Sequence, residues 1–300
     1  MKIQNRRIAA TRAALIAGIS LIFFTWAWAQ QGAGQSAPTS AEAAMKPAVA
    51  LVAKVSGLAT YTDFALGQEG AIEPKMKFKQ GVTIRTGSDV MVVLLFSNGS
   101  ALTIKPGSTV SIEEYLQSPT PEGAPALDAL DREPSTSKTK LRLLEGDIVG
   151  SVKKLNIEEG SSYEVNSPIG TAGIRGTNYT LSIKIEAGQD AEGNFGISVG
   201  NGVFIPLGSQ PITVAALQSV ALTGAVNPDG SVTITGVQTA EMTEAQAVEV
   251  NVTAEQAEQL FEGMDAAEFN PSQGGVQGGE VRIEIDSPTP SLRVTPNQGE

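Results

Sequence analysis

The chain has 300 residues and a formal net charge of −11, and it contains no cysteine and no histidine. Thiol nucleophiles, zinc sites of the Cys/His type, haem ligation through imidazole and Ser-His-Asp triads are therefore excluded. The acidic balance also argues against nucleic acid and anionic lipid surfaces as partners.

Residues 1–29 have the pattern of a secretory signal peptide, in which a basic start precedes a long apolar run and a small-x-small cleavage site, Ala27-Trp28-Ala29. Cleavage would remove four basic residues and no acidic one, which moves the formal charge to −15. The protein is thus expected in the periplasm or outside the cell. The apolar run is also long enough for an uncleaved membrane anchor, whereas no later segment is expected to span a membrane.

Residues 30–47 are small and polar and predict a flexible leader. From about residue 48 to 237 the sequence changes to short apolar alternations separated by Gly, Pro and Asn, which predicts an all-β domain, an antiparallel sandwich or jelly roll. The pair Asn98-Gly99 between two apolar runs predicts a type I′ hairpin turn. Further strands are predicted at 50–55, 82–85, 141–145, 147–153, 162–166, 178–185, 195–199, 203–207, 212–215, 217–223 and 231–235.

Two segments depart from this strand pattern. Residues 117–139 carry four prolines and predict a long surface loop inserted in the β-domain. Residues 238–269 predict a strand and helix extension: Val248, Val250 and Val252 alternate as in a strand. Thr-x-x-Gln capping signals occur at Thr243 and at Thr253, and the second is expected to open a short helix with Ala257, Leu260, Phe261 and Met264 on one side. Residues 270–300 are rich in Gly, Pro, Ser and Gln, and predict a disordered acidic tail.

The stretch "SPIGTAGIRGTNYTL", residues 167–181, places one arginine among three glycines directly before a strand. Glycine lets the backbone take positive φ or approach a neighbouring strand closely. Arg175 could fold back onto backbone carbonyls, or onto Glu145 or Asp147, and Thr177 could form a local hydrogen bond. This structural interpretation, a pinned corner of a sheet, is preferred to a ligand site.

The other patterns that could indicate catalysis or metal binding each lack a required feature. Two Ser-x-x-Lys matches, Ser151 to Lys154 and Ser135 to Lys138, lie in a strand and in the loop rather than on a helix, so no serine-lysine catalysis is expected. Asp190, Glu192 and Asn194 alternate as in calcium loops, but the closing glutamate is missing and a hairpin is favoured. We therefore assign no catalytic, metal or cofactor-binding residue. Hydrolysis through paired carboxylates remains a third, weaker hypothesis.

The segments "GDIVGSV" and "YEVNSPIGTAGIRGTNYTL", preceded by "VSGLATYTD" and "KFKQGVTIRTGSDVMVVLLFSNGSALTIKPGSTVSI", resemble the FecR domain, a periplasmic β-domain. The resemblance covers roughly residues 50–225 and places Gly173, Arg175, Gly176 and Thr177 at the family's hallmark positions, with no catalytic role attached. Its best-known members have a cytoplasmic segment, one membrane span and this domain, and they couple an outer-membrane receptor to a sigma factor. Here only about a dozen residues precede the apolar run.

The sequence therefore predicts a non-catalytic, exported binding module of the cell envelope, with an envelope protein or polymer as its partner and no cofactor. The second hypothesis is a membrane-anchored periplasmic regulator in FecR-type sigma-factor signalling. Whether residues 13–29 persist in the mature protein distinguishes the two.

Overall fold

The computed structural model describes residues 45–185, 190–262, 264 and 269. The predicted signal peptide, nearly all of the predicted leader and the predicted acidic tail lie outside these residues. The strands are β1 (Lys46–Pro47), β2 (Ala50–Val55), β3 (Thr60–Asp63), β4 (Gln68–Ala71), β5 (Lys77–Phe78), β6 (Val82–Arg85), β7 (Val92–Phe96), β8 (Ala101–Ile104), β9 (Thr109–Gln117), β10 (Ser137–Ser151), β11 (Ser162–Ser167), β12 (Gly170–Ile174), β13 (Asn178–Lys184), β14 (Ala191–Val199), β15 (Asn201–Pro206), β16 (Ile212–Ala215), β17 (Gln218–Val226) and β18 (Val232–Glu241). The helices are α1 (Glu244–Glu258) and the 3₁₀ turns Leu127–Ala129, Ile157–Glu159 and Gln259–Phe261.

These strands form two sheets that share β10, as the all-β prediction requires. The first sheet has the order β4–β3–β6–β9–β10–β11–β12–β15–β16, with β1 paired to the far end of β9. The second has the order β5–β2–β7–β8–β10–β13–β14–β17–β18. All these pairs are antiparallel except β10 with β11, which is parallel. Buried apolar side chains of both sheets form one continuous core, so the architecture is a sandwich.

The sequence of β7, "VVLLF", is apolar throughout because both of its faces are covered. Val92, Leu94 and Phe96 point into the core between the sheets. Val93 and Leu95 belong to a second cluster on the outer face of the second sheet, under Phe261 and the other residues that follow helix α1. A strand covered on both sides loses the polar alternation of a half-exposed strand.

Strand β10 changes sheets in its middle. Its first half pairs with β9 and β11, and its second half, from Gly146 onward, pairs with β8 and β13. Register shifts on either side of Leu143 bend the strand where it leaves the first sheet. The two strands predicted at 141–145 and 147–153 are therefore one strand, and the prediction of a break between them was wrong.

The hairpin at Asn98-Gly99 is present, but its turn is not of type I′. Only Gly99 has a positive φ, +83°. The Gly99 amide donates to the Phe96 carbonyl at 2.9 Å, and the Phe96 amide donates to the Ser100 carbonyl at 2.8 Å. The loop is thus one residue longer than predicted, with glycine at the left-handed position. Asn98 uses its side chain instead, accepting from the Ser100 amide and donating to Ser137.

The helix differs most from the sequence prediction. It begins at Glu244, where Thr243 and Gln246 form a reciprocal capping box, and it runs without a break through the predicted strand. Val250 is buried, whereas Val248 and Val252 are 53% and 44% exposed, as expected when alternate residues point to different sides of a helix. Thr253 lies inside the helix, so its capping signal was misread. The four residues predicted to share one side, Ala257, Leu260, Phe261 and Met264, all contribute to one hydrophobic cluster, in which Ala257 and Phe261 are buried.

Helix α1 lies across the outer face of the second sheet and is held there largely by polar contacts. The Ser198 hydroxyl donates to Asn251 at 2.8 Å, Lys105 pairs with Glu249, and Ser151 donates to Glu258. Its buried side chains are mostly small: Ala247, Val250, Ala254 and Ala257. In the part of the chain that the structure describes, no helix combines the length and apolar character needed to cross a membrane.

Candidate functional site

The predicted glycine corner is half strand and half turn. Residues 170–174 form β12, which the sequence analysis missed, between β11 and β15. Gly173 lies in this strand opposite Glu164 and Val203. The preceding strand ends at Ser167, directly before Pro168 and one residue beyond the predicted range 162–166. Arg175 and Gly176 form the turn, and β13 begins after Thr177.

Three backbone segments meet at this turn, and we call them the junction: residues 152–156, 174–178 and 199–200. The Val152 amide donates to the Thr177 carbonyl at 2.9 Å. Gly176 has φ +86°, and a Cβ there would lie 2.8 Å from the Cα of Lys154. A Cβ on Gly200 would lie 2.7 Å from the Gly176 carbonyl oxygen. The junction therefore depends on backbones that approach too closely for any side chain between them.

Thr177 is buried within the junction at 2% exposure. Its hydroxyl has no hydrogen-bond partner among the described residues. Its methyl group would lie 2.9 Å from a Cβ on Gly200. The expected local hydrogen bond of the Thr177 hydroxyl is therefore not found, and the residue acts through its packing and its backbone carbonyl.

Arg175 is exposed and makes no hydrogen bond or ion pair with any described residue. Its expected partners are elsewhere: Glu145 accepts from Thr109 at 3.1 Å, and Asp147 lies opposite Ser182 in the sheet. The other described arginines are all engaged: Arg85 with Thr62, Arg132 with Leu155 and Asn156, and Arg142 with Glu113. The anchoring predicted for Arg175 was therefore wrong, and the turn holds its guanidinium in solvent.

The loop that links β9 to β10, predicted as an insertion at 117–139, is folded against the junction. The Glu133 amide donates to the Lys154 carbonyl at 3.1 Å, and the Lys154 amide donates to the Asp131 carbonyl at 3.4 Å. The Arg132 guanidinium donates to the Leu155 carbonyl at 3.3 Å. Leu127 and Leu130 pack into the cluster on the outer face of the second sheet. The loop is therefore a fixed part of the domain.

A buried carboxylate fastens this loop. Glu133 is 3% exposed, and its two oxygens accept from the Asn156 amide at 2.6 Å and from the Ser137 hydroxyl at 2.5 Å. Burial raises the pKa of Glu133 above its usual value, and these hydrogen bonds only partly offset that effect. Nothing in the sequence marks this glutamate, because it lies between an arginine and a proline in a loop with no periodicity.

The other candidate residues from the sequence make hydrogen bonds or strand pairs within the domain. Ser151 donates to Glu258, and Ser135 donates to the Ser118 carbonyl at 2.8 Å, so neither hydroxyl is directed to the lysine of its motif. Glu192 and Asn194 lie on β14 opposite Lys184 and Ser182, which confirms the predicted hairpin. Within residues 45–185, 190–262, 264 and 269, no cluster of three or more acidic side chains could hold a metal ion.

Substitution of the two motif glycines should have unequal effects. Gly176→Ala should lower the free energy of unfolding by about 1–3 kcal/mol, because it adds both positive-φ strain and a clash with the Lys154 backbone. Gly173→Ala should cost much less, because its Cβ would meet only the Val203 carbonyl, at 3.7 Å. Urea unfolding of both variants measures this difference. Equal losses would contradict the close packing of the junction.

Glu133 should make stability depend on pH. Because its pKa is higher in the folded state than the unfolded value of 4.5, the folded state binds the proton more tightly, and stability should fall as pH rises through that window. Glu133→Gln removes this ionisation and keeps the side-chain size. The stability of the wild type relative to Glu133→Gln, measured by urea unfolding between pH 4 and 8, should therefore decrease as pH rises. A constant or increasing difference would show that the carboxylate is not penalised by burial.

Comparisons with known proteins agree with the resemblance seen in the sequence. Residues 82–203 match the family model described as FecR protein. Two crystal structures of a candidate anti-sigma factor from Parabacteroides distasonis ATCC 8503, at 2.50 Å and 1.65 Å resolution, align with 55% of this chain at 10% sequence identity and a TM-score of 0.38. The alignment spans 62% of the length of that protein. No curated protein matches the chain.

The matched range includes the whole of β10, the Arg175 turn and all three segments of the junction. Residues 82–203 of the chain are therefore similar to the FecR protein family.

Proposed function

We propose that the protein is a non-catalytic binding module of the cell envelope, and that it binds an anionic group of its partner through the Arg175 turn. The observation that carries this proposal is the contrast among the described arginines. Three are bound to groups of the chain itself, whereas the one in the family's hallmark motif is exposed and has no partner among the described residues. A rigid turn built from close backbone contacts displays this side chain.

The chemistry of the surroundings fits an acidic partner group. A guanidinium offers a planar set of donors that pairs with a carboxylate through two parallel hydrogen bonds. Lys154, against whose backbone Gly176 packs, is a second exposed cation with no described ion pair. Val199, beside the turn in the paired β13 and β14 strands, is 51% exposed and adds an apolar contact. A positive patch on an otherwise acidic protein favours a negatively charged surface on an envelope protein.

The second candidate is a membrane-anchored periplasmic regulator in FecR-type sigma-factor signalling, which the FecR match favours. In that case residues 13–29 would remain as an anchor and the Arg175 turn would face a receptor or a separate anti-sigma protein. The intact mass of the protein from its native envelope separates the candidates. A chain that begins at Gln30 supports the exported module, and a full-length chain in the inner membrane supports the regulator.

Arg175 should matter for binding and not for stability. With a photo-crosslinking amino acid at position 199 in living cells, the adduct should fall about 10- to 100-fold in Arg175→Ala, since one charge-assisted contact of about 1.5–3 kcal/mol is lost. Unfolding free energy should change by less than about 0.5 kcal/mol, because the side chain has no described partner. Lys54→Ala, which removes another exposed cation, is the matched control and should leave the adduct unchanged.

An Arg175→Lys variant should retain part of the adduct, because it keeps the positive charge. It should not retain all of it, because an ammonium group cannot form the two parallel hydrogen bonds of a guanidinium. Two results would contradict the proposal. One is an adduct that does not depend on residue 175. The other is a loss of more than about 1 kcal/mol of stability in Arg175→Ala, which would show that the arginine is a structural group after all.

A further inference from the structure

The second sheet ends at an unusually long open edge. Strand β18, Val232–Glu241, is 10 residues long and pairs with β17 through nine residue pairs. No described strand pairs with its other edge. Most of its side chains are exposed, and Val237 is 42% exposed. The strand therefore presents a row of free backbone amides and carbonyls to its surroundings.

The other edges of the two sheets are short and interrupted. Strand β5 has two residues and includes Lys77, β4 has four residues and includes Glu69, and β16 has four residues and follows Pro211. Short length, charge and proline are the usual devices that prevent pairing between sheets. Strand β18 has none of these three devices: residues 232–240, "VTITGVQTA", contain no charge and no proline, and the one irregularity of its pairing with β17 is a register shift at Thr235. Threonine and β-branched residues on this stretch instead favour strand pairing.

We propose that the free edge of β18 pairs antiparallel with β18 of a second copy of this chain. Such a contact is two-fold symmetric and closed, so it continues the second sheet across two molecules without forming a filament. It goes beyond the proposed function, because the Arg175 turn lies on other strands.

The sequence of β18 is complementary to itself in this arrangement. With Gly236 or Val237 on the two-fold axis, Glu241 of one copy lies opposite Ser231 or Thr233 of the other, so no two carboxylates on the strand face each other. The threonines at 233, 235 and 239 can form cross-strand pairs, which are favourable on an antiparallel sheet. Because β18 has no charged side chain before Glu241, it offers no ion pair by which a charged strand of another protein could be recognised. A second copy of β18 has the same uncharged sequence and is complementary to it.

The absence of cysteine from the chain permits a direct test. Single cysteines placed at each position from 233 to 239 of the full chain should give oxidised dimers with one maximum, at 236 or 237, because only the residue on the axis lies opposite its own copy. Val248→Cys on the exposed side of helix α1 is the control and should remain monomeric. A flat profile, or a dimer of equal yield at position 248, would overturn the proposal.

Sedimentation of the cysteine-free protein tests the same contact without crosslinking. The wild type should be dimeric, and Val237→Lys should be monomeric, because like charges then face each other near the axis. Val248→Lys, which adds the same charge at a similarly exposed valine, should stay dimeric, and so should Arg175→Ala. A monomeric wild type contradicts the proposal. If the full chain is monomeric but dimerises when shortened to residues 1–269, its own C-terminal residues occupy the edge instead.

Discussion

Strand β10 is the constraint on which the rest of the domain depends. Its backbone pairs with β9 and β11 in one sheet and with β8 and β13 in the other. The two sheets therefore cannot separate unless β10 loses its backbone hydrogen bonds to one of them. Its course also sets the position of the site. Where β10 leaves the second sheet, residues 152–156 continue directly into the junction, so the strand that both sheets share places the backbone against which Gly176 packs.

The polar groups around this junction fall into two classes. Among the buried ones, Glu133 is paired with Asn156 and Ser137, whereas the Thr177 hydroxyl has no partner among the described residues. An unpaired buried polar group costs about 1–3 kcal/mol, which explains why the loop between β9 and β10 is fixed wherever it crosses the junction. Arg175 belongs to the other class, because it lies at the centre of the motif and yet makes no hydrogen bond or ion pair with an acceptor in the described part of the chain. A side chain held in place by its backbone and left free at its end is suited to bind something else.

Several strands followed from the sequence where one face of the strand is half exposed. In β13, for example, Tyr179, Leu181 and Ile183 alternate with polar residues, and this alternation predicted the strand. Strand β12 was missed because "GTAGI" is short and rich in glycine, and only its pairing with β11 and β15 makes it a strand. The region of Val248 to Val252 also has alternate valines, but the capping box at Thr243 and the surrounding Ala, Glu and Gln favour a helix. The role of Glu133 depends on contacts from Ser137 and Asn156 in two other segments, which no local pattern contains.

The central claim is that the junction is a rigid platform for Arg175, and hydrogen exchange of individual backbone amides tests it most directly. The amides of Val152, Glu133 and Asn156 donate to Thr177, Lys154 and the Glu133 carboxylate. If the platform is rigid, these amides exchange only through global unfolding, with the same free energy of opening as amides in the middle of β10. Exchange near the rate of an unfolded chain at these three positions, while β10 remains protected, would show that the turn is mobile and would contradict the account.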